Sequence, residues 1–399
     1  MQYDLVFEGG GAKGMVFAGA MDEFFSRGHT YKRVLGTSAG AITATLLAAG
    51  YQPPEMMAAL NEKDDQGRSV FTEFMGVPPP LTKNEIDSSD IRLILGGVNS
   101  RLIPDFIERR IDDAIANWMA RSSRFINLFA FVQRGGWYSA DAFITWLSRK
   151  LDEGSYNGKP RKFSGMTLSQ FFDATQIDLT VIASDVTARQ ILILNHRTAP
   201  ALPVVYAVRM SMGIPLLWNE IKWQAAWGQY RNRDMTNHAI VDGGMLSNFP
   251  IELLVSDERF VTNVMGPKQT EAILGCLIDT KLDVPNAGEP ESEEKRFAAV
   301  GNLKTVHRLH GLMETSLEAR DKTVIEAFEE LVVRCPAKGY GTIEFDMSDK
   351  RRAALVEAGR AAMAAHLTRP ESDMGQSRGL GEDRSAEIAT RLARSILGD

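Results

Sequence analysis

Within the first fifty residues the chain twice runs from a short apolar stretch through a glycine-rich turn into a helical segment. Leu5-Val6-Phe7 leads into Gly9-Gly10-Gly11-Ala12-Lys13-Gly14, after which Met15 to Phe25 has helical character. Val34-Leu35 leads into Gly36-Thr37-Ser38-Ala39-Gly40, followed by the alanine- and leucine-rich stretch Ala41 to Ala49. Strand, tight turn and helix, repeated at once, predict βαβα, the opening of an α/β fold with parallel strands.

Further strands are expected at Ile177 to Ile182, Ile191 to Leu194, Ala239 to Val241 and Ala272 to Ile278, and a helix at Val204 to Met212. Residues 52–160 break the pattern. Pro53-Pro54 and Pro78-Pro79-Pro80 punctuate them, and helices are expected at Ile103 to Met119 and at Ala140 to Leu151, the latter capped by Ser139. This stretch reads as a mostly helical insertion within a domain of residues 1–285. Glu293 to Val333 alternates apolar and charged residues at helical spacing, so residues 286–368 are expected to form a helical region packed on the core. Residues 369–399, rich in Gly, Ser, Glu and Arg, are expected to be a flexible charged tail with a short final helix near Ile388 to Ile396.

Composition narrows the chemistry. The formal net charge is -6 with the two signs interspersed, which gives no electrostatic reason to bind nucleic acid. Cys276 and Cys335 are the two cysteines, and no Cys/His cluster surrounds them, so neither a disulfide framework nor a metal site is expected. Two thiols fit a reducing compartment. The start, Met1-Gln2-Tyr3-Asp4, lacks the pattern of a signal peptide, and apolar stretches such as Ala41 to Gly50 are too short to span a bilayer. A cytoplasmic protein is the expectation, and any contact it makes with a membrane would be peripheral.

Three motifs carry chemistry. The loop Gly9 to Gly14 offers backbone N–H groups at a helix N-terminus, a setting that suits an oxyanion. A Walker loop would need Ser or Thr after Lys13, where Gly14 stands. A dinucleotide fold would want an acid about twenty residues on, and no Asp or Glu occurs between Glu23 and Glu55. An oxyanion hole remains. Gly36-Thr37-Ser38-Ala39-Gly40 fits GxSxG, the nucleophile elbow, in its proper place between strand and helix. Val241-Asp242-Gly243-Gly244 puts an aspartate at a strand end on a tight turn, which suits a base and equally suits a simple turn cap. Of the histidines His29, His196, His238, His307, His310 and His366, the last three follow Asp242 as an α/β-hydrolase triad would require, yet none sits in a loop at a strand end. A Ser-Asp dyad needs no histidine.

Together these motifs resemble those of the patatin-like phospholipases. Asp242 to Pro250 is similar to the family's DG[AG]-x-x-x-N-x-P, Ile182 to Thr187 to its "ATDL" strand end, and Arg209 to Pro215 to its helix and proline turn. The resemblance covers roughly residues 3–280. It implies a three-layer α/β/α fold with a mostly parallel central sheet and a helical insertion. It also implies that Ser38 is the nucleophile and Asp242 the base. Gly9, Gly10, Gly11, Ala12, Lys13 and Gly14 would form the oxyanion loop, with Gly10 and Gly11 the chief donors. Gly36, Thr37, Ala39 and Gly40 would shape the elbow, and Gly243 and Gly244 the aspartate turn. The implied activity is hydrolysis of acyl esters of lipids through an acyl-serine, without metal or cofactor, in a housekeeping enzyme, a toxin or a membrane-degrading effector. A soluble esterase, thioesterase or acyltransferase is the alternative at the same site. A nucleotide-binding regulatory module using the glycine loop is the alternative of another class. An activating ligand or protein would leave no mark in the sequence.

A lipid enzyme without an anchor needs an apolar contact surface. Phe125 to Val132, flanked by Arg121, Arg124 and Arg134, is one candidate, and Leu216-Leu217-Trp218 with Trp223 to Trp227 is another. Both suit burial in the core equally well.

Overall fold

The computed structural model describes residues 1–82, 84–85, 126–270, 272–288, 327–369 and 382–397. β1 (Gln2–Phe7) passes through one 3-10 turn, Gly11–Met15, into α1 (Val16–Ser26), and β2 (Thr30–Thr37) passes directly into α2 (Ala39–Ala48). The chain continues through α3 (Pro53–Leu60), α4 (Ile126–Arg134), α5 (Asp141–Asp152), α6 (Leu168–Thr175), β3 (Asp178–Asp185), β4 (Gln190–Leu194) and α7 (Val204–Ser211). Then come β5 (Ile221–Lys222), β6 (Ala239–Asp242), α8 (Glu252–Val255), α9 (Arg259–Met265), β7 (Ile273–Asp279), β8 (Val332–Pro336), α10 (Asp349–Leu367) and α11 (Glu382–Leu397).

β1 to β8 form one sheet in the order β8-β7-β1-β2-β3-β6-β5, with β4 also on β3. The pairs from β8 through β3 are parallel, and those of β4, β6 and β5 are antiparallel. Side chains alternate across the strands. Leu5, Phe7, Val34, Val181 and Ala183 enter one apolar layer with α1, α2 and α10. Val6, Leu35 and Ile182 enter the other, with α8, α9 and α11. The result is the expected three-layer α/β/α sandwich around a mostly parallel sheet.

Register on β3 sets up the site. β4 holds one edge of β3 over Val181 to Asp185. On the opposite edge β2 pairs up to Thr37 with Ile182, and antiparallel β6 pairs down to Asp242 with Ala183. The two strands run toward each other along one edge and end at adjacent residues of β3. Ser38 and Asp242 are therefore brought together by sheet geometry, although some two hundred residues separate them.

Two expectations need correction. Val332 and Val333, read as the end of a helical stretch, belong to β8, which pairs in parallel with β7 as the edge of the central sheet. The run is β-branched and stops at Pro336, which suits an edge strand, so the central sheet draws on chain well past residue 285. The last helix is also longer than expected and is packed. Ala389 and Ala393 are fully buried in the core cluster shared with α8 and α9, and Ile388 and Leu392 pack on the same cluster. The expected helices at 103–119 and 293–326 lie outside the described residues.

Candidate active site

Ser38 is the N-cap of α2 and takes φ 51°, in the left-handed region that a side chain rarely adopts. Such a turn persists where its surroundings over-determine it. A Cβ on Gly36 would lie 2.1 Å from the Gly40 carbonyl oxygen, and one on Gly40 would lie 2.2 Å from the Phe7 carbonyl oxygen. Only glycine fits at either place. The Ser38 N–H donates to Ser211 Oγ at 2.9 Å, from the last residue of α7. Behind the serine the α2 N-terminus contributes partial positive charge.

Asp242 ends β6 in a buried position. Its Oδ1 accepts the Gly244 N–H at 2.7 Å, while Oδ2 is buried without a hydrogen bond of ordinary geometry. Burial pushes the carboxyl up to about 7, and the approaching Ser38 hydroxyl and the Gly244 N–H offset this only in part. A carboxylate so poorly solvated is a much better proton acceptor than an exposed one. Gly243 packs flat on β3, where a Cβ would lie 2.3 Å from the Ile182 carbonyl oxygen.

The glycine loop is held from far along the chain. Gly9 N–H donates to the Asn248 carbonyl at 3.3 Å, and Asn248 Nδ2 returns bonds to the Gly9 carbonyl at 3.0 Å and to Glu8 Oε1 at 3.1 Å. Glu8 Oε2 accepts the Ile278 N–H at 2.6 Å. Ala12 N–H donates to the Thr342 carbonyl at 2.8 Å. Gly11 has φ 56°, and a Cβ on it would lie 2.0 Å from that same oxygen. Among the described residues, the N–H groups of Gly10 and Gly11 donate to no protein acceptor. Lys13 is buried and is not among the residues lining the pocket described next.

Ser38 opens on a pocket of about 770 Å³, its mouth included. Gly11, Gly14 and Ala39 flank the serine, Ile42 and Leu46 continue along α2, and Phe71, Phe74, Trp146, Trp218 and Phe345 add aromatic rings. Of the described residues that line it, none is charged. The polar exception besides Ser38 is Thr43, whose hydroxyl turns back to the Ala39 carbonyl at 3.3 Å. From Ala39 to Leu46 the wall extends about 10 Å, at the usual helical rise.

Other residues singled out by sequence lie elsewhere. Among the described residues no histidine hydrogen-bonds Ser38 or Asp242. His238 Nδ1 lies 2.8 Å from Asp185 Oδ2, His196 stacks on Phe172 and lies 3.5 Å from Asp178, and His29 sits by the N-terminal amine. His366 is buried in α10, and His307 and His310 fall outside the described residues. Among the described residues no group of three His, Cys, Asp or Glu could hold a metal.

The proposed lipid-contact stretches are largely core. Ile126, Phe129 and Ala130 of α4 are buried, leaving Leu128 exposed. Arg134 is engaged with Glu85 at 2.6 Å and with the Pro79 carbonyl at 2.9 Å, so it is not free for headgroups. Phe125, Arg121 and Arg124 lie outside the described residues. Leu217, Trp218, Trp223 and Trp227 are buried. Among the described residues no helix is long and apolar enough to cross a membrane.

Three contributors escaped sequence reasoning. Ser211 and Asn248 sit inside recognisable motifs, but nothing there announces that one supports the elbow and the other clamps the glycine loop. Thr342 acts through its carbonyl, which any residue could supply.

Several known proteins are similar to this chain. The sequence model of the family described as patatin-like phospholipase matches residues 5–255, a span that includes Ser38, Asp242 and the whole glycine loop. The chain is 25% identical over 368 residues to the uncharacterized protein YqhO of Bacillus subtilis (strain 168), covering 90% of this chain and 96% of that one. It is 20% identical over 252 residues to the probable lipid hydrolase 463L of Invertebrate iridescent virus 6, covering 63% of this chain and 62% of that one. The crystal structure of VipD from Legionella pneumophila aligns with 99% of this chain and 75% of its own, at 16% identity and a TM-score of 0.46. With more than half of its length matched by the family model, the chain belongs to the patatin-like phospholipase family.

Proposed function

We propose that this protein hydrolyses acyl esters of lipids through a Ser38–Asp242 dyad and an acyl-serine intermediate. The observation that carries this reading is the uncharged, aromatic-lined pocket that begins at Ser38. A nucleotide phosphate would find no cation among the described lining residues, which weighs against the phosphate-binding alternative.

In the reaction, Asp242 accepts the Ser38 proton as Oγ attacks the ester carbonyl. The Gly10 and Gly11 N–H groups meet the developing oxyanion, at about 3 kcal/mol per donor by analogy with other acyl hydrolases. The alcohol leaves with the proton from Asp242. Water then attacks the acyl-serine as the same carboxylate takes its proton, and that proton passes to Ser38 Oγ as the acid departs. Lipid reaches the mouth by transient membrane contact, through a surface other than the buried stretches described above.

Ser38→Ala and Asp242→Asn are each expected to lower hydrolysis of dispersed phospholipid by at least about 10³-fold, with fluorophosphonate labelling abolished in Ser38→Ala. Asp242→Asn retaining most activity would sink the dyad. Hydrolysis of short soluble esters or thioesters alone would move the substrate to the alternative class. Activity should rise as pH climbs through about 7, where Asp242 ionises. Stability moves the other way. The folded carboxyl binds its proton more tightly than the unfolded one, so this contribution is complete below the unfolded value of 3.8 and is lost as pH rises through about 7. Asp242→Asn should therefore gain roughly 2–4 kcal/mol at pH above 7 and little under acid conditions, as thermal unfolding would show.

A further inference from the structure

The family match ends at residue 255, but the pocket does not. Phe345 lines it, and the Thr342 carbonyl holds the glycine loop, both from the connection between β8 and α10. We infer that residues 340–347 are a working part of the active site, in which Phe345 gauges the acyl chain while the same loop fixes the shape of the oxyanion loop. The inference rests on the pocket being an acyl site.

The loop is latched. Arg351 Nε donates to Glu344 Oε1 at 2.9 Å, with both side chains almost wholly buried. Arg351 Nη2 donates to the Gly339 carbonyl at 2.7 Å, and its guanidinium lies 4.1 Å over the Tyr340 ring. Tyr340 in turn donates its hydroxyl to the Arg351 carbonyl at 2.8 Å, and Glu344 Oε2 accepts the Gly341 N–H at 2.9 Å. A buried ion pair contributes little net stability but fixes geometry. Here it fixes two neighbours at once. Thr342 is held against Gly11, and Phe345 is held with its ring centroid 6.3 Å from that of Phe74 and 6.1 Å from that of Trp218. A loop that merely joined β8 to α10 would need no aromatic side chain in the pocket and no carbonyl on the catalytic loop.

The test is chain-length preference in the full-length protein. Alkyl fluorophosphonates of increasing length give inactivation rates at Ser38 for wild type, Phe345→Ala, Phe345→Leu and Phe345→Trp, with thermal unfolding as a check on folding. Phe345→Ala and, more weakly, Phe345→Leu should raise the ratio of long-chain to short-chain rates, by about tenfold for Ala, and Phe345→Trp should lower it by a similar factor. Folded Leu and Trp variants that keep the wild-type ratio would overturn the inference even if Phe345→Ala does not fold. Wild type that no fluorophosphonate labels at Ser38 would instead overturn the acyl-hydrolase reading, and this inference with it.

Discussion

The two glycine-rich turns of the site face each other and are built from similar residues, yet they are held in opposite ways. The elbow at Ser38 is largely self-determined. Gly36 presses on the carbonyl of Gly40, Ser38 takes its left-handed φ between them, and α2 begins at once. The Gly9 to Gly14 loop is shaped from outside, by Asn248 at a separation of 239 residues and by Thr342 from the far end of the chain. A local turn carries most of its constraints within its own few residues. A loop tied down by distant strands exists only when the sheet, its edge strand β8 and the following loop have all assembled. The proposed nucleophile thus sits in a largely local turn, whereas the groups proposed to meet the oxyanion depend on the whole fold.

The sharpest way to break the local half is Gly36→Ala. The added methyl has nowhere to go, because the atom 2.1 Å away is backbone and cannot rotate aside. The expected result is a loss of at least about 10³-fold in kcat/KM through displacement of Ser38, with roughly 3 kcal/mol of lost stability. Urea denaturation and fluorophosphonate labelling measure the two effects separately. A near-wild-type rate would show that the elbow does not depend on this contact.

This division also explains what could be read from the sequence. β1, β2, α1, α2 and the elbow follow from residue order over short windows, and all stand within a few residues of where periodicity and turn chemistry place them. The aspartate turn is legible for the same reason, although the proposal that Asp242 partners Ser38 needs the family resemblance. β8 was not legible, because Val332 and Val333 continue an amphipathic spacing, and only pairing with β7 makes them a strand. Trp218, Trp223 and Trp227 looked equally suited to a membrane and to a core, since hydrophobicity does not say which apolar surface a ring meets. The hold of Thr342 on the glycine loop could not be read at all, since a carbonyl carries no side-chain signature.

Asn248→Ala tests the distant half. It removes the Nδ2 bonds to the Gly9 carbonyl and Glu8 while leaving the elbow untouched. Its own carbonyl still accepts the Gly9 N–H, so the loop loosens without being released. We expect kcat to fall about 10²-fold with KM nearly unchanged, the pattern of an interaction that matters chiefly in the transition state. A rise in KM at constant kcat would mean that Asn248 shapes substrate binding and that the glycine loop stands without it.

The smallest effect should come from Ser211→Ala. Ser211 is a long-range partner of the elbow, and its Oγ accepts the Ser38 N–H at 2.9 Å. Losing it leaves a buried N–H unpaired, at a cost of about 1–3 kcal/mol in stability. The Ser38 backbone would nonetheless stay in place, because the Gly36–Gly40 contact already excludes the alternatives. Activity should therefore fall only about 3- to 10-fold, corresponding to about 1 kcal/mol in the barrier, and Ser211→Thr, which keeps a hydroxyl, should recover most of it. If Ser211→Ala instead cost as much activity as Gly36→Ala, the elbow would be held from a distance like the glycine loop, and the contrast between the two turns would fall.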